Sequence, residues 1–95
     1  MITSKQRATL RGLANGIQPI LQIGKGGICD NFLKQVDDAL EARELVKITI
    51  LETAMLDTKA TCGYVAEKLS AEPVQAIGSK FVIYRESKDH KTIEI

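Results

Sequence analysis

A chain of 95 residues, 44% apolar and 26% charged, has the size and make-up of one globular domain that can bury a core without disulfide or metal staples. No apolar run approaches the roughly 18 residues that a bilayer span requires. The amphipathic start MITSKQRATLRG lacks the apolar stretch and cleavage site of a secretory leader, so the expectation is a cytoplasmic protein with no membrane partner. The net charge of +1 conceals an asymmetry. Residues 1–29 carry Lys5, Arg7, Arg11 and Lys25 and no acid, residues 30–72 hold five bases against nine acids, and residues 73–95 hold four bases and three acids. Such a split is expected where one region faces a polyanion, although a chance surface also produces it.

Thr3 followed three residues later by Gln6 predicts a capping box opening a first helix. Leu10, Leu13 and Ala14 share one side of that helix, and Gly12, Asn15 and Gly16 close it. Arg7 and Arg11 stand one turn apart on a common flank. Residues 17–23 (IQPILQI) alternate with period two and predict a strand, with Pro19 at its start, at a bulge or on an edge because it has no N–H to donate. The loop Gly24-Lys25-Gly26-Gly27 follows, and then Phe32, Leu33, Val36, Ala39 and Leu40 recur at helical spacing. That second helix opens on Cys29, a poorer cap than Ser or Thr, with Asp30 as the alternative start.

A second strand over residues 45–51 turns Val46, Ile48 and Ile50 inward, and Asp57 is a cap for a third helix that buries Cys62, Val65, Ala66 and Leu69. Pro73 forbids that helix from continuing. VQAI and FVIYR flank Gly78-Ser79 and read as a hairpin. Residues 87–95 form a polar tail in which Thr92 to Ile95 can pair weakly. The predicted order is α-β-α-β-α-β-β in a single domain over residues 1–95, with a core from about 3 to 86. It implies an α+β two-layer fold with a mixed four-stranded sheet packed by helices.

Gly24-Lys25-Gly26-Gly27 lies between a strand and a helix N-terminus. Glycine permits positive φ and close approach of backbone to a ligand. The unpaired N–H groups at the head of the next helix favour an anion, and Lys25 adds a mobile charge. The arrangement describes a phosphate seat, or else an ordinary tight turn. It is no mononucleotide site, since Ile28 and Cys29 stand where a Walker loop needs Lys and Ser or Thr. The dinucleotide pattern fails at its last glycine. No cofactor and no small-molecule substrate are therefore expected.

Signals for catalysis are thin. His90, the single histidine, sits in the polar tail, where a solvated side chain is the simpler account than a triad member. Asp37, Asp38 and Glu41 form an acidic face on the second helix without metal-ligand spacing, which reads as a solvated face. Cys29 and Cys62, 33 residues apart, read as small buried hydrophobes, with a disulfide or a redox pair as alternatives. The expectation is a protein with no catalytic residue and no metal.

The segments Lys5-Gln6-Arg7, Leu10-Arg11-Gly12-Leu13-Ala14, Ile23-Gly24-Lys25-Gly26-Gly27, Ala39-Leu40, Glu44-Leu45-Val46-Lys47-Ile48, Ile77-Gly78-Ser79-Lys80 and Val82-Ile83-Tyr84-Arg85, taken in this order, resemble the bacterial YhbY-like proteins. These are the stand-alone form of the CRM (chloroplast RNA splicing and ribosome maturation) domain, and the resemblance spans about residues 3–86. It implies a fold similar to the C-terminal domain of a translation initiation factor. It also implies RNA binding through a GxxG loop, and association with precursors of the large ribosomal subunit (pre-50S particles and their ribosomal RNA). Carried over residue by residue, Gly24, Lys25, Gly26 and Gly27 would hold the RNA backbone. Arg7 and Arg11 would widen the basic surface with Lys5 at its edge, and Lys80 and Arg85 would add phosphate contacts.

These cations are expected to converge on one seat, and four or five of them on phosphates predict a slope of about −3 to −4 for log affinity against log salt. With four aromatics, of which Phe32 and Phe81 read as core, the chain cannot offer a broad stacking platform. Backbone charge and RNA shape are then the expected basis of recognition. Two other readings compete. One is a protein-binding assembly factor that docks on a ribosomal protein through the acidic face of the second helix. The other is a small enzyme using Cys29 at a helix N-terminus, where a thiol pKa can be lowered.

Overall fold

In the computed structural model, which describes residues 2–89 and 91–93, the chain runs α1 (Ser4–Ala14), β1 (Leu21–Ile23), α2 (Asp30–Arg43), β2 (Leu45–Ile50), a short 3-10 turn (Glu52–Ala54), α3 (Thr58–Lys68), β3 (Glu72–Ile77) and β4 (Lys80–Tyr84). The predicted order holds, and the 3-10 turn is an addition. Thr3 caps α1 through the expected box, its hydroxyl accepting the Gln6 amide while the Gln6 side chain accepts the Thr3 amide. Asp57 caps α3 by accepting the Ala60 amide at 2.9 Å. The sheet order is β1-β2-β4-β3, with β1 parallel to β2 and the other two pairs antiparallel.

Two differences at the strands trace to proline. Only residues 21–23 of the alternating stretch enter the ladder. The amides of Gly16 and Ile17 close α1 on Leu13 and Ala14, and Pro19 has no N–H, so pairing starts with the Ile20 amide on the Lys47 carbonyl. At the other edge β3 begins at Glu72 and carries Pro73 inside it. The edge position tolerates the missing donor, and Val74 is the extra residue of an irregularity between Pro73 and Gln75.

The helices are not confined to one side. Val36 and Leu40 of α2 and Cys62, Val65 and Ala66 of α3 pack with Val46, Ile48, Ile50, Phe81 and Ile83. Leu10 and Ala14 of α1 pack with Leu45, Val74, Val82 and Tyr84, the alternate residues of the same strands. The expected two layers are therefore three: α1 covers the reverse of the sheet. Leu45, which alternates with the inward-facing Val46, Ile48 and Ile50, is buried beneath it together with Tyr84.

The register fixes which loops meet. Ile23 pairs with Ile50, Thr49 with Lys80, and Lys80 with Ile77. The C-terminal ends of β1 and β2, the 24–27 loop and the 78–79 turn therefore lie at one end of the sheet. Leu45, Glu72 and Tyr84 mark the other end.

Candidate nucleic-acid interface

The loop after β1 is a tight turn, with the Gly27 amide donating to the Gly24 carbonyl at 2.9 Å. Gly27 has φ +71, a conformation only glycine adopts without strain. Lys25 and Gly26 are exposed, and a methyl group built on Gly26 would meet nothing within 4 Å. Among the described residues neither the Lys25 nor the Gly26 amide donates to a backbone carbonyl. The chain then enters α2 through Cys29, which is extended and makes no side-chain cap hydrogen bond. Of the three α-helices, α2 alone begins with its first-turn amides uncapped by a side chain. Its orphan N–H groups and dipole are directed at whatever approaches the loop. Asp30 in that first turn opposes an anion in part.

Lys80, the first residue of β4, stands at the same end, two strands from β1. Lys59 joins it from the first turn of α3, where the Thr58 hydroxyl donates to the Gly78 carbonyl at 2.6 Å and ties the helix to the hairpin. Lys25, Lys59 and Lys80 are exposed, and among the described residues none makes an ion pair.

The other expected cations lie elsewhere. Arg7 and Arg11 donate through Nε to the carbonyls of Pro73 (3.1 Å) and Val74 (3.4 Å) on β3. They are thus on the reverse layer and at the far edge of the sheet, roughly 14 Å across from β1 by three strand spacings and about 13 Å toward the opposite end. Lys5, two residues before Arg7 on α1, is likewise on this helix and away from the loop end. Arg85 is consumed internally: its guanidinium pairs with Asp37 Oδ1 at 2.6 Å and donates to the carbonyls of Leu69 (3.0 Å) and Asp37 (3.1 Å). The single seat expected from the sequence therefore resolves into the 24–27 loop with Lys80, a separate pair of arginines on α1, and a structural Arg85.

The acidic face of α2 is likewise in use rather than merely solvated. Asp37 holds Arg85, and Glu41 accepts the Ser87 hydroxyl and the amides of Lys88 and Asp89. Asp38 is the exposed member, 3.8 Å from Lys34. The residue after α2, Glu44, has φ +66 and no exposed surface. Its carboxylate accepts the amides of Ser87 (2.8 Å), Thr92 (2.6 Å) and Ile93 (2.8 Å) and the Thr92 hydroxyl. Thr92 and Ile93 thus bind a carboxylate instead of forming the weak strand expected, and residues 94–95 lie outside the described residues, as does His90. Burial pushes the Glu44 carboxyl up, but the donors from Ser87, Thr92 and Ile93 outweigh it and hold it below its ordinary value. The Ser87 hydroxyl, against partial desolvation and with help from the Asp89 and Lys88 amides, does the same for Glu41.

Of the two thiols, Cys62 is buried as expected, and burial pushes it up to about 11. Cys29 is exposed, contrary to expectation, because the N-cap position points its side chain away from the core. Neither is in a disulfide. Among the described residues no group of His, Cys, Asp and Glu is gathered for a metal, and no helix is long and apolar enough to cross a membrane.

A family model described as the CRS1 / YhbY (CRM) domain matches residues 2–85. The chain belongs to this family. The CRM domain is 42% identical to a Bacillus subtilis protein named "Probable RNA-binding protein YqeI", over all of this chain and 99% of that one. It is 28% identical to a Haemophilus influenzae protein named "RNA-binding protein", over 95% of this chain and 91% of the other. The solution structure of a hypothetical protein from Staphylococcus aureus superposes with a TM-score of 0.76 at 49% identity, covering all of this chain and 99% of that one. What the sequence reading of this CRM domain missed at the loop end is Lys59, Met55, Leu56 and Tyr64. The available signal was the α3 wheel, which sets Tyr64 with Asp57, Ala60 and Lys68, beside rather than among the core positions Cys62, Val65 and Ala66.

Proposed function

We propose that this CRM domain binds RNA by its sugar-phosphate backbone at the end of the sheet formed by the 24–27 loop, the head of α2 and the β3–β4 turn. We further propose that its natural ligand is large-subunit ribosomal RNA in pre-50S particles. The observation that carries the reading is the open glycine turn, whose Lys25 and Gly26 amides are exposed beside a helix head with no side-chain cap. The names of its relatives support the ligand class. Lys25, Lys59 and Lys80 supply charge and make no ion pair among the described residues, whereas Arg85 is spent on Asp37. The α1 arginines, committed to β3 carbonyls, would form at most a second and separate contact.

Three phosphate contacts predict a slope of about −2 for log affinity against log salt on single-stranded RNA, at roughly 0.7 per contact. That is shallower than four or five converging cations would give. The decisive variant is Gly26→Asp. Open space around that position leaves the fold intact, while the new carboxylate occupies the seat, so affinity for RNA should fall at least tenfold. Equal affinity of Gly26→Asp and the parent chain, at an unchanged melting temperature, would remove the loop from the mechanism.

A further inference from the structure

The loop end of the molecule is not only basic. Of the six large apolar side chains exposed among the described residues, four, Met55, Leu56, Tyr64 and Ile77, lie at the exit of the 3-10 turn, on α3 or at the end of β3. Tyr64 and Leu56, with Ile28, Asp57, Ala60 and Thr61, line a shallow groove of about 380 Å³ between the start of α2 and the first two turns of α3. Ile28 directly follows Gly27, so the groove begins where the glycine turn ends. Tyr64 is 46% exposed, and the Lys68 ammonium lies 5.6 Å from its ring centroid. Asp57, the single carboxylate in the lining, is occupied by the Ala60 amide. A surface that pairs an aromatic face and aliphatic walls with flanking lysines, contiguous with a backbone seat, fits one kind of occupant. That occupant carries a flat apolar face on a polyanionic chain.

We propose that this groove is a base pocket, in which one unstacked nucleobase of an RNA strand stacks on Tyr64 while the adjoining phosphate rests on the 24–27 loop. The inference rests on the backbone-seat reading above and adds to it a base contact that a loop-only mechanism does not contain. Stacking tolerates every base, since each has a π-face, so the pocket confers a preference for single-stranded over paired RNA rather than for a sequence.

The chain has no tryptophan and two tyrosines, and Tyr84 is 5% exposed, so quenching of tyrosine emission by a stacked ligand, absent in Tyr64→Ala, reports on Tyr64. Titration of the full chain with decaadenylate should quench that emission. Tyr64→Ala should weaken decaadenylate binding about tenfold, equivalent to about 1.4 kcal/mol, and Tyr64→Phe should stay within about twofold of the parent. On an abasic ribose-phosphate strand of the same length, parent and Tyr64→Ala should bind alike. If Tyr64→Ala binds decaadenylate like the parent while Gly26→Asp does not, the base pocket is wrong and the backbone seat stands. If Gly26→Asp also binds like the parent, the seat itself is wrong. A loss in Tyr64→Phe as large as in Tyr64→Ala overturns stacking in favour of a hydroxyl contact. The melting temperature of each variant, expected to match the parent because the ring is half exposed, identifies any that fails to fold.

Discussion

Replacing Glu44 by alanine should unfasten the C-terminal strap. The carboxylate is fully buried and takes three backbone amides, those of Ser87, Thr92 and Ile93, at 2.6–2.8 Å. Each hydrogen bond to a charged acceptor is worth about 1.5–3 kcal/mol net, but the three are not additive, because Ser87, Thr92 and Ile93 can lift away and regain water. The loss is then limited to the cost of releasing the strap, including Ile93 from the cluster beneath α1, and we expect about 2–4 kcal/mol. Glu44→Gly deletes the same bonds yet relieves the strain of φ +66, so it should be about 1 kcal/mol more stable than the alanine variant. Urea unfolding gives these differences, and amide exchange of Thr92 and Ile93 tells strap release from global loss. A midpoint shift of Glu44→Ala below the equivalent of about 0.5 kcal/mol, with Thr92 still protected, would refute the reasoning.

Further outcomes follow from the same geometry. The Glu44 and Glu41 carboxyls lie below their ordinary value of 4.5 in the folded chain, so their stabilisation is complete above that pH and is lost as pH falls through the depressed folded values. The acid limb of a stability-versus-pH curve should therefore be flatter in Glu44→Gln, and an equal slope would count against the assignment. Arg85→Leu should cost about 1–2 kcal/mol, because Leu69 and Asp37 carbonyls lose a buried donor while the half-exposed Asp37 carboxylate rehydrates. A double-mutant cycle with Asp37→Asn measures the coupling. Gly27→Ala should destabilise by about 1 kcal/mol through its positive φ, with Gly26→Ala close to neutral; thermal melts of the pair check this. Thiol labelling of the native chain should modify Cys29 quickly and Cys62 only on unfolding.

What the sequence disclosed was whatever depends on near neighbours. Thr3 with Gln6, Asp57 with Ala60, and Gly78 at the hairpin each act over three or four residues, and the helix and strand periods placed Val36, Leu40, Ile48 and Val65 in the core. The glycine turn is equally local, and it is found open, as its composition suggested. The roles of Arg85, Asp37 and Glu41 are misread from the sequence and that of Glu44 is invisible in it, because their partners lie 16 to 49 residues away and their types are ordinary surface residues. Arg7 and Arg11 were correctly set on one flank of α1. Which side of the sheet α1 covers is decided by the burial of Leu45, Val74 and Val82 against it, and no spacing within the helix records that choice.

The commitment of the α1 arginines to β3 has a consequence for how copies of the chain meet. An outer strand normally offers a row of unused carbonyls and amides to any passing extended segment. Here Pro73 withdraws a donor, the irregularity at Val74 breaks the register, and the guanidinium groups of Arg7 and Arg11 occupy two acceptors in succession. The opposite margin, β1, is three residues long and is preceded by Pro19. Neither margin offers the long unbroken row of backbone groups on which a fifth strand pairs, so this small sheet resists growing from one molecule into the next.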